Sequence, residues 1–364
     1  MKNTFGNSIS ITLFGESHGT AIGAVVDGLP AGIKVNEEFI AHQLDLRRPV
    51  GKISTPRQEA DKFNIVSGVF NGKTTGTPVC IVIPNENTHS KDYSKTYGKA
   101  RPGHADYTAF CKYNGCEDYR GGGHFSGRIT AGLVAAGAIA IDLLSEKGIK
   151  IGTHISKCAG VEDTAFSDLE KDINTLSDKM FAVLCDESGE QMIKKIEEAS
   201  ESGDSVGGVL ETAVIGLPVG VGEPWFDSVE SMLSHALFSI PAIKGVEFGV
   251  GFSCADMLGS EMNDSFTLKN GKVTTKTNNN GGINGGITNG MPVIFRCAVK
   301  PTPSISKDQE TIDFINEENT VLGVKGRHDP CIVHRARVVV DSITALVLCD
   351  LLTQKFGTDW LGVG

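Results

Sequence analysis

Ser8-Ile9-Ser10-Ile11-Thr12-Leu13-Phe14, running straight into Gly15-Glu16-Ser17-His18-Gly19, is the stretch that sets the fold class. Polar and apolar side chains alternate through it with the two-residue period of a half-buried strand, and the glycines that follow present a histidine on a turn. Outward from there, a second strand near 24–26 meets the turn Gly28-Leu29-Pro30-Ala31-Gly32, and Asn36 stands where it can cap a helix ending near Leu46. The order returns later in the chain. A strand over 209–215 leads into Gly216-Leu217-Pro218-Val219-Gly220 and then an amphipathic helix from about 227 to 239. A strand, a Gly-Leu-Pro turn and a helix occurring twice predicts two halves of related build about a pseudo-twofold. Chance is the alternative, because Gly-Leu-Pro is common turn punctuation.

Between the two units, an alanine-rich helix over about 129–147 is apolar enough to be central and buried. A surface helix is expected over 188–202 and a last helix over 341–355, with strands over 79–83 and 292–299. Strands and helices are interspersed without strict alternation, which predicts an α+β layered fold with antiparallel sheets.

The 364 residues, 40% hydrophobic, suffice for one large domain or two ordinary ones. Glycine, with 44 residues, lies in short clusters such as Gly121-Gly122-Gly123 and Gly281-Gly282, where backbone turns tightly or approaches a ligand. The nine cysteines are scattered, with no CxxC pair, so neither a disulfide framework nor a zinc site is indicated and a reducing compartment fits best. The N-terminus lacks the apolar core of a signal peptide, and no segment is read as approaching the ~18 apolar residues of a membrane span. The expectation is a cytoplasmic protein. A formal charge of -10 argues against nucleic-acid or anionic-membrane partners, which need a net basic surface. Against that background Arg47, Arg48, Lys52 and Arg57 form a basic cluster, read either as a solvated helix end or as an anion site.

Four segments concentrate polar residues with glycine: 15–19, Arg101-Pro102-Gly103-His104-Ala105-Asp106, Asp118 to Arg128, and Gly326-Arg327-His328-Asp329-Pro330-Cys331. His18 and His104 are candidate general acids or bases, since imidazole titrates near neutral pH; structural, hydrogen-bonded histidines are the alternative. No HxH or HExxH spacing supports a metal. The run from Arg120 to Arg128 offers glycine amides and two arginines ahead of a helix, a plausible anion cradle or simply a tight turn. It matches neither the P-loop nor the dinucleotide-binding glycine pattern. The glycine-rich 278–287 segment and Lys300-Pro301-Thr302-Pro303-Ser304 are candidates to line a flavin or a phosphate, or else a mobile loop and an ordinary turn.

In order and spacing, GESHG, RPGHAD, DYRGGG, KGVEFG, GGINGGITNG, KPTPSI and GRHDPC resemble the chorismate synthase family over nearly the whole chain. The resemblance implies a single-domain β-α-β sandwich over 1–364, assembled as a homotetramer. It also implies reduced FMN used without net consumption in an anti-1,4-elimination of phosphate from 5-enolpyruvylshikimate 3-phosphate, with NADPH a possible reductant. Carried over by position, His18 resembles the acid serving the departing phosphate, His104 the group that protonates or polarises the flavin, and Asp329 the carboxylate that assists at the flavin. Arg47, Arg48, Lys52, Arg128 and Arg335 resemble the substrate clamp. Flavin contacts fall on His124, Phe125, Ser126, Pro241, Ala242, Gly285, Lys300, Pro301, Thr302, Pro303, Ser304 and Arg327. The run usually written GGGRSSARET departs here at His124, Phe125, Gly127 and Ile129, and Lys52 stands near a position often held by arginine, keeping charge but losing the bidentate fork. A phosphotransferase or phosphatase, and a flavin- or anion-binding module that has lost catalysis, are the competing readings.

Overall fold

The alternating stretch forms the strand Ser10–Gly15, paired antiparallel with Ala21–Asp27 so that Ser10 faces Asp27 and Gly15 faces Ile22. The structure, a computed structural model, describes residues 2–49, 51–55, 60–86, 97–324 and 329–362. The first sheet runs in the order Thr4–Phe5, Ser10–Gly15, Ala21–Asp27, Val79–Pro84, Asn64–Ser67, and every pairing is antiparallel. The second runs Ile243–Phe248, Val293–Val299, Gly208–Ile215, Lys150–Cys158, Val161–Glu162, again antiparallel throughout. The α+β layered expectation therefore holds.

The helices Thr130–Glu146 and Val333–Phe356 pack against each other between the sheets. The former lies on strands 21–27 and 79–84, the latter on strands 150–158 and 208–215. Glu37–Leu46 and Val229–Leu237 flank them. A helix covered on several sides cannot keep a polar face, which is why residues 131–140 are buried without a break. The stretch Gly127–Glu146 is in fact long and apolar enough to cross a membrane by composition, contrary to the expectation from sequence, but its apolarity is spent in this core. Gly137 lets the two central helices touch: a Cβ there would lie 2.3 Å from that of Ser342.

The predicted pseudo-twofold extends to individual hydrogen bonds. Thr74 donates its hydroxyl to Pro30 O, accepts from Ile33 N, and receives Gly32 N at its carbonyl. Thr288 does the same with Pro218 O, Val221 N and Gly220 N. Asn36 and Ser228 then cap the equivalent helices at Phe39 N and Ser231 N. Each half continues through two further strands of its main sheet, Asn64–Ser67 and Val79–Pro84 or Ile243–Phe248 and Val293–Val299, to one central helix.

Two expectations change. The last helix begins at Val333, eight residues before the predicted start, because its polar first turns are satisfied by tertiary partners: Arg337 donates to the carbonyls of Leu176 and Lys179 and pairs with Asp341. The glycine-rich 278–287 segment is an ordered hairpin end rather than a mobile loop. The Asp264 carboxylate holds it by accepting from Asn279 N and from both Asn280 nitrogens.

Candidate active site

The glycine run is the pivot of the site. Gly121, Gly122 and Gly123 have φ of 60°, 83° and 53°, a left-handed succession that side chains with a Cβ resist. Each leaves room for a different neighbour. A Cβ on Gly121 would lie 2.4 Å from His18 Cδ2, one on Gly122 3.0 Å from His104 Cε1, and one on Gly123 2.0 Å from Asp118 O. Two histidines 86 positions apart in sequence thus adjoin consecutive glycines, His18 at Gly121 and His104 at Gly122. The GESHG turn is fastened to the same run by Ser17 N donating to Gly123 O at 3.1 Å.

His104 sits on a braced loop. Arg101 grips Asp106 with Nε to Oδ2 at 2.8 Å and Nη2 to Oδ1 at 2.6 Å, and its backbone amide donates to Oδ2 as well. His104 Nδ1 lies 3.0 Å from Asp106 Oδ1 and 3.1 Å from Arg101 Nη2. Burial opposes ionisation of Asp106, but the hydrogen bonds and charges of Arg101 and His104 prevail and hold its carboxyl far below the usual range. Lys300 Nζ donates to Gly103 O at 2.5 Å, Arg101 Nη1 reaches Ser304 Oγ at 3.5 Å, and Pro303 lies beside Gly103. Ala242 O accepts from Lys300 N at 2.9 Å, so the 300–304 segment and the 241–242 turn are brought to the His104 loop. Thr302 Oγ1 is buried there without a hydrogen-bond partner among the described residues.

On the other side, Arg120 forks onto Asp118 at 2.8 and 2.7 Å. These bonds, with the charge of His18 contributing, lower the Asp118 pKa, against a smaller opposing effect of burial. His124, a departure from the family pattern, donates Nδ1 to Gly15 O at 2.7 Å and so anchors the GESHG loop. Phe125 packs edge-on against Tyr113 at 6.1 Å, and Ser126 caps Arg128 N at 3.3 Å.

The arginines divide by burial. Arg47 and Arg128, each with 7% of the side chain exposed, share the two oxygens of Asp61. Arg47 also holds Thr130 Oγ1 and Gly127 O, and Arg128 holds Asn85 Oδ1. Asn85 in turn donates to Glu16 O and Gly19 O, which links this network to the His18 turn. Arg335 spans Asp329 and Arg47 O, and Asp329 accepts from Thr55 N at 2.9 Å. Arg48 is 40% exposed and pairs with Asp45 at 2.9 Å, while Lys52 is exposed on the short turn Gly51–Ile53. Arg57 and Arg327 lie outside the described residues. Gly285 lies on the hairpin end Ile283–Thr288, where its neighbour Gly286 accepts from Val229 N at the start of helix Val229–Leu237. Asp61, Asn85, Asp106 and Asp118 were not singled out from sequence. Asp106 and Asp118 lay within the candidate segments 101–106 and 118–128, whereas Asp61 and Asn85 carried no local signal.

A family model described as chorismate synthase matches residues 9–353, which takes in every segment of this site. The chain belongs to the chorismate synthase family. It is 49% identical over 354 residues to the chorismate synthase of Dehalococcoides mccartyi strain BAV1, covering 96% of each chain. To that of Thermococcus kodakarensis it is 45% identical over 352 residues, covering 96% of this chain and 97% of the relative. A crystal structure of chorismate synthase superposes with a TM-score of 0.76 at 32% identity, over 97% of this chain and 94% of the other.

Proposed function

We propose that the protein is a chorismate synthase that eliminates phosphate from 5-enolpyruvylshikimate 3-phosphate with reduced FMN. The observation that carries the reading is that His18 and His104 adjoin the consecutive glycines Gly121 and Gly122, where each glycine's missing Cβ makes room for one ring. The residues beside them suit a flavin, because Thr302 offers a buried hydroxyl in need of a partner and Lys300 a cation on the same segment. Lys300 to Ser304, Ala242 and Ser126 would hold it. Its reduced ring supplies the electron density that permits loss of a hydrogen too weakly acidic for a side-chain base.

The chain's own groups do the rest. His18, 6% exposed, protonates the departing phosphate oxygen in a site from which bulk water is largely shut out. His104 holds or moves a proton at Nε2, the edge turned to the glycine run. Asp329, fixed by Arg335 and Thr55 N, presents a charged oxygen of defined direction. Arg48, Lys52 and the arginines around Asp61 overcome a net charge of -10 locally to receive a polyanion.

One continuous core through both sheets supports a single domain over 1–364. Exposed Trp225, Phe226 and Phe252, at 84%, 90% and 85%, support self-association as a homotetramer. The proposed compartment is the cytoplasm, and NADPH is a candidate external or intrinsic source of electrons. The test is anaerobic phosphate release and chorismate absorbance with photoreduced and with oxidised FMN. Product with reduced flavin alone is expected; FMN binding with no product would leave a flavin-binding module as the answer. Light scattering checks the assembly, for which four times the 38.6 kDa chain is expected.

A further inference from the structure

We propose that Asp106, clamped by Arg101, is the positioning residue that fixes the tautomer of His104, keeping a proton on Nδ1 so that exchange takes place only at Nε2. The inference rests on the reading of His104 as a proton-handling group. It begins from the asymmetry of the ring's surroundings. Nδ1 lies 3.0 Å from a carboxylate oxygen, while Nε2 lies 3.3 Å from the position a Cβ on Gly122 would take and so faces open glycine backbone. The ring is 18% exposed along its side chain, and the Asp106 side chain 19%, so water competes only partly for either.

A donor and an acceptor contend for this corner. Arg101 Nη2 is 3.1 Å from Nδ1 and can only donate, which would call for a bare Nδ1, whereas Asp106 can only accept, which calls for Nδ1–H. The carboxylate decides. Arg101 already donates Nε and Nη2 to the two oxygens of Asp106, and its Nη1 points to Ser304. A carboxylate oxygen has lone pairs enough for a second donor, so Oδ1 can take both Nη2–H and Nδ1–H. A bare Nδ1 would instead set its lone pair against a charged oxygen at 3.0 Å. Of the other charges near this loop, Lys300 is committed to Gly103 O and His18 adjoins Gly121; neither contacts Nδ1 in the described hydrogen bonds. Two devices hold Asp106 itself: the fork and the Arg101 backbone amide at 2.9 Å. A carboxylate placed this way orients an imidazole without joining the chemistry.

The direct measurement is 15N NMR of labelled imidazoles in the intact wild-type protein, with the His104 signals assigned by their loss in His104→Gln. Neutral His104 is expected to carry its proton on Nδ1. A proton on Nε2 would overturn the proposal without touching the role of His104. Asp106→Asn then replaces an acceptor with an amide able to donate to Nδ1, which drives the proton to Nε2. The expected result is a tautomer switch with kcat down on the order of 100-fold, KM within about threefold and little change in melting temperature. Asp106→Glu is expected to restore the tautomer and much of kcat. An unchanged tautomer or unchanged kcat in Asp106→Asn defeats the inference, and if that variant does not fold, the wild-type spectrum alone still decides. Near-normal turnover by His104→Gln would instead sink the assignment of His104.

Discussion

Among the cations of the site, burial sets how much each one also holds the protein together. Arg47 is buried against Asp61, Thr130 and Gly127, so Arg47→Ala leaves a buried carboxylate short of one partner. Its expected cost is about 3 kcal/mol or more, seen as a lower urea midpoint. Arg48 is half in solvent, and its ion pair with Asp45 is worth little. Arg48→Ala should raise KM for the phosphorylated substrate at least tenfold while moving the melting temperature by only a degree or two; the reverse pattern would return Arg48 to a structural role. Gly121→Ala tests the cradle. The new Cβ meets the His18 ring at 2.4 Å from backbone that is already left-handed, so the ring must move. Turnover is expected to fall on the order of 100-fold, with a stability loss of only about 1–2 kcal/mol. Circular dichroism melts beside steady-state rates distinguish this from general unfolding.

At the level of elements, what matters is how helices and strands are tied. The helix Val333–Phe356 carries in its C-terminal half a buried carboxylate, Asp350, which accepts from Asn7 N, Ser8 N and Ile9 N at 3.0, 2.7 and 2.9 Å. One side chain thereby anchors the entry of the first sheet to the last helix. Asp350→Ala strips partners from three backbone amides and is expected to cost roughly 2–4 kcal/mol. Hydrogen exchange over residues 7–15 should speed up more than exchange over Gly208–Ile215, and uniform acceleration would contradict the anchoring role. On the second sheet, the face turned from the helices carries charges in register: Glu247 opposite Arg296, Arg296 opposite Glu211, Glu211 opposite His154. Alternating sign across neighbouring strands makes each pairing favourable and the register specific.

For the whole molecule, that charged row gives folding a pH signature. His154 is fully buried between Asp163 at 2.8 Å and Glu211 at 3.1 Å, with Phe166 edge-on and Arg296 beyond Glu211. Burial works to lower its pKa, but the two carboxylates outweigh it and raise the value above the ordinary 6.5. A histidine raised on folding binds its proton more tightly in the native state, so its stabilisation is complete below the unfolded pKa and fades as pH climbs through the folded one. The stability gap between the wild type and His154→Gln should therefore be larger near pH 6 than near pH 9, as measured by urea denaturation. A gap that is flat with pH would mean that the histidine is neutral in the fold.

How much of this could be read beforehand differs from element to element for physical reasons. Strand 10–15, the Asn36 cap, the buried alanine-rich helix and the two Gly-Leu-Pro turns were legible because period, capping chemistry and turn residues act within a few positions of one another. The start of the last helix was not, since Arg337 is made helical by carbonyls 158–161 positions away. Nor was His154 conspicuous, whose partners are brought by a sheet. The chain by itself determined the element types, the twofold plan and the segments that carry chemistry, all properties of local pattern. Only the tertiary structure decided that His18 and His104 adjoin neighbouring glycines of one run, that Asp61 joins Arg47 to Arg128, and that Asp106 stands 3.0 Å from one edge of the His104 ring. Those relations depend on angstrom-scale distances between residues far apart in sequence, set by how two sheets close over one layer of helices.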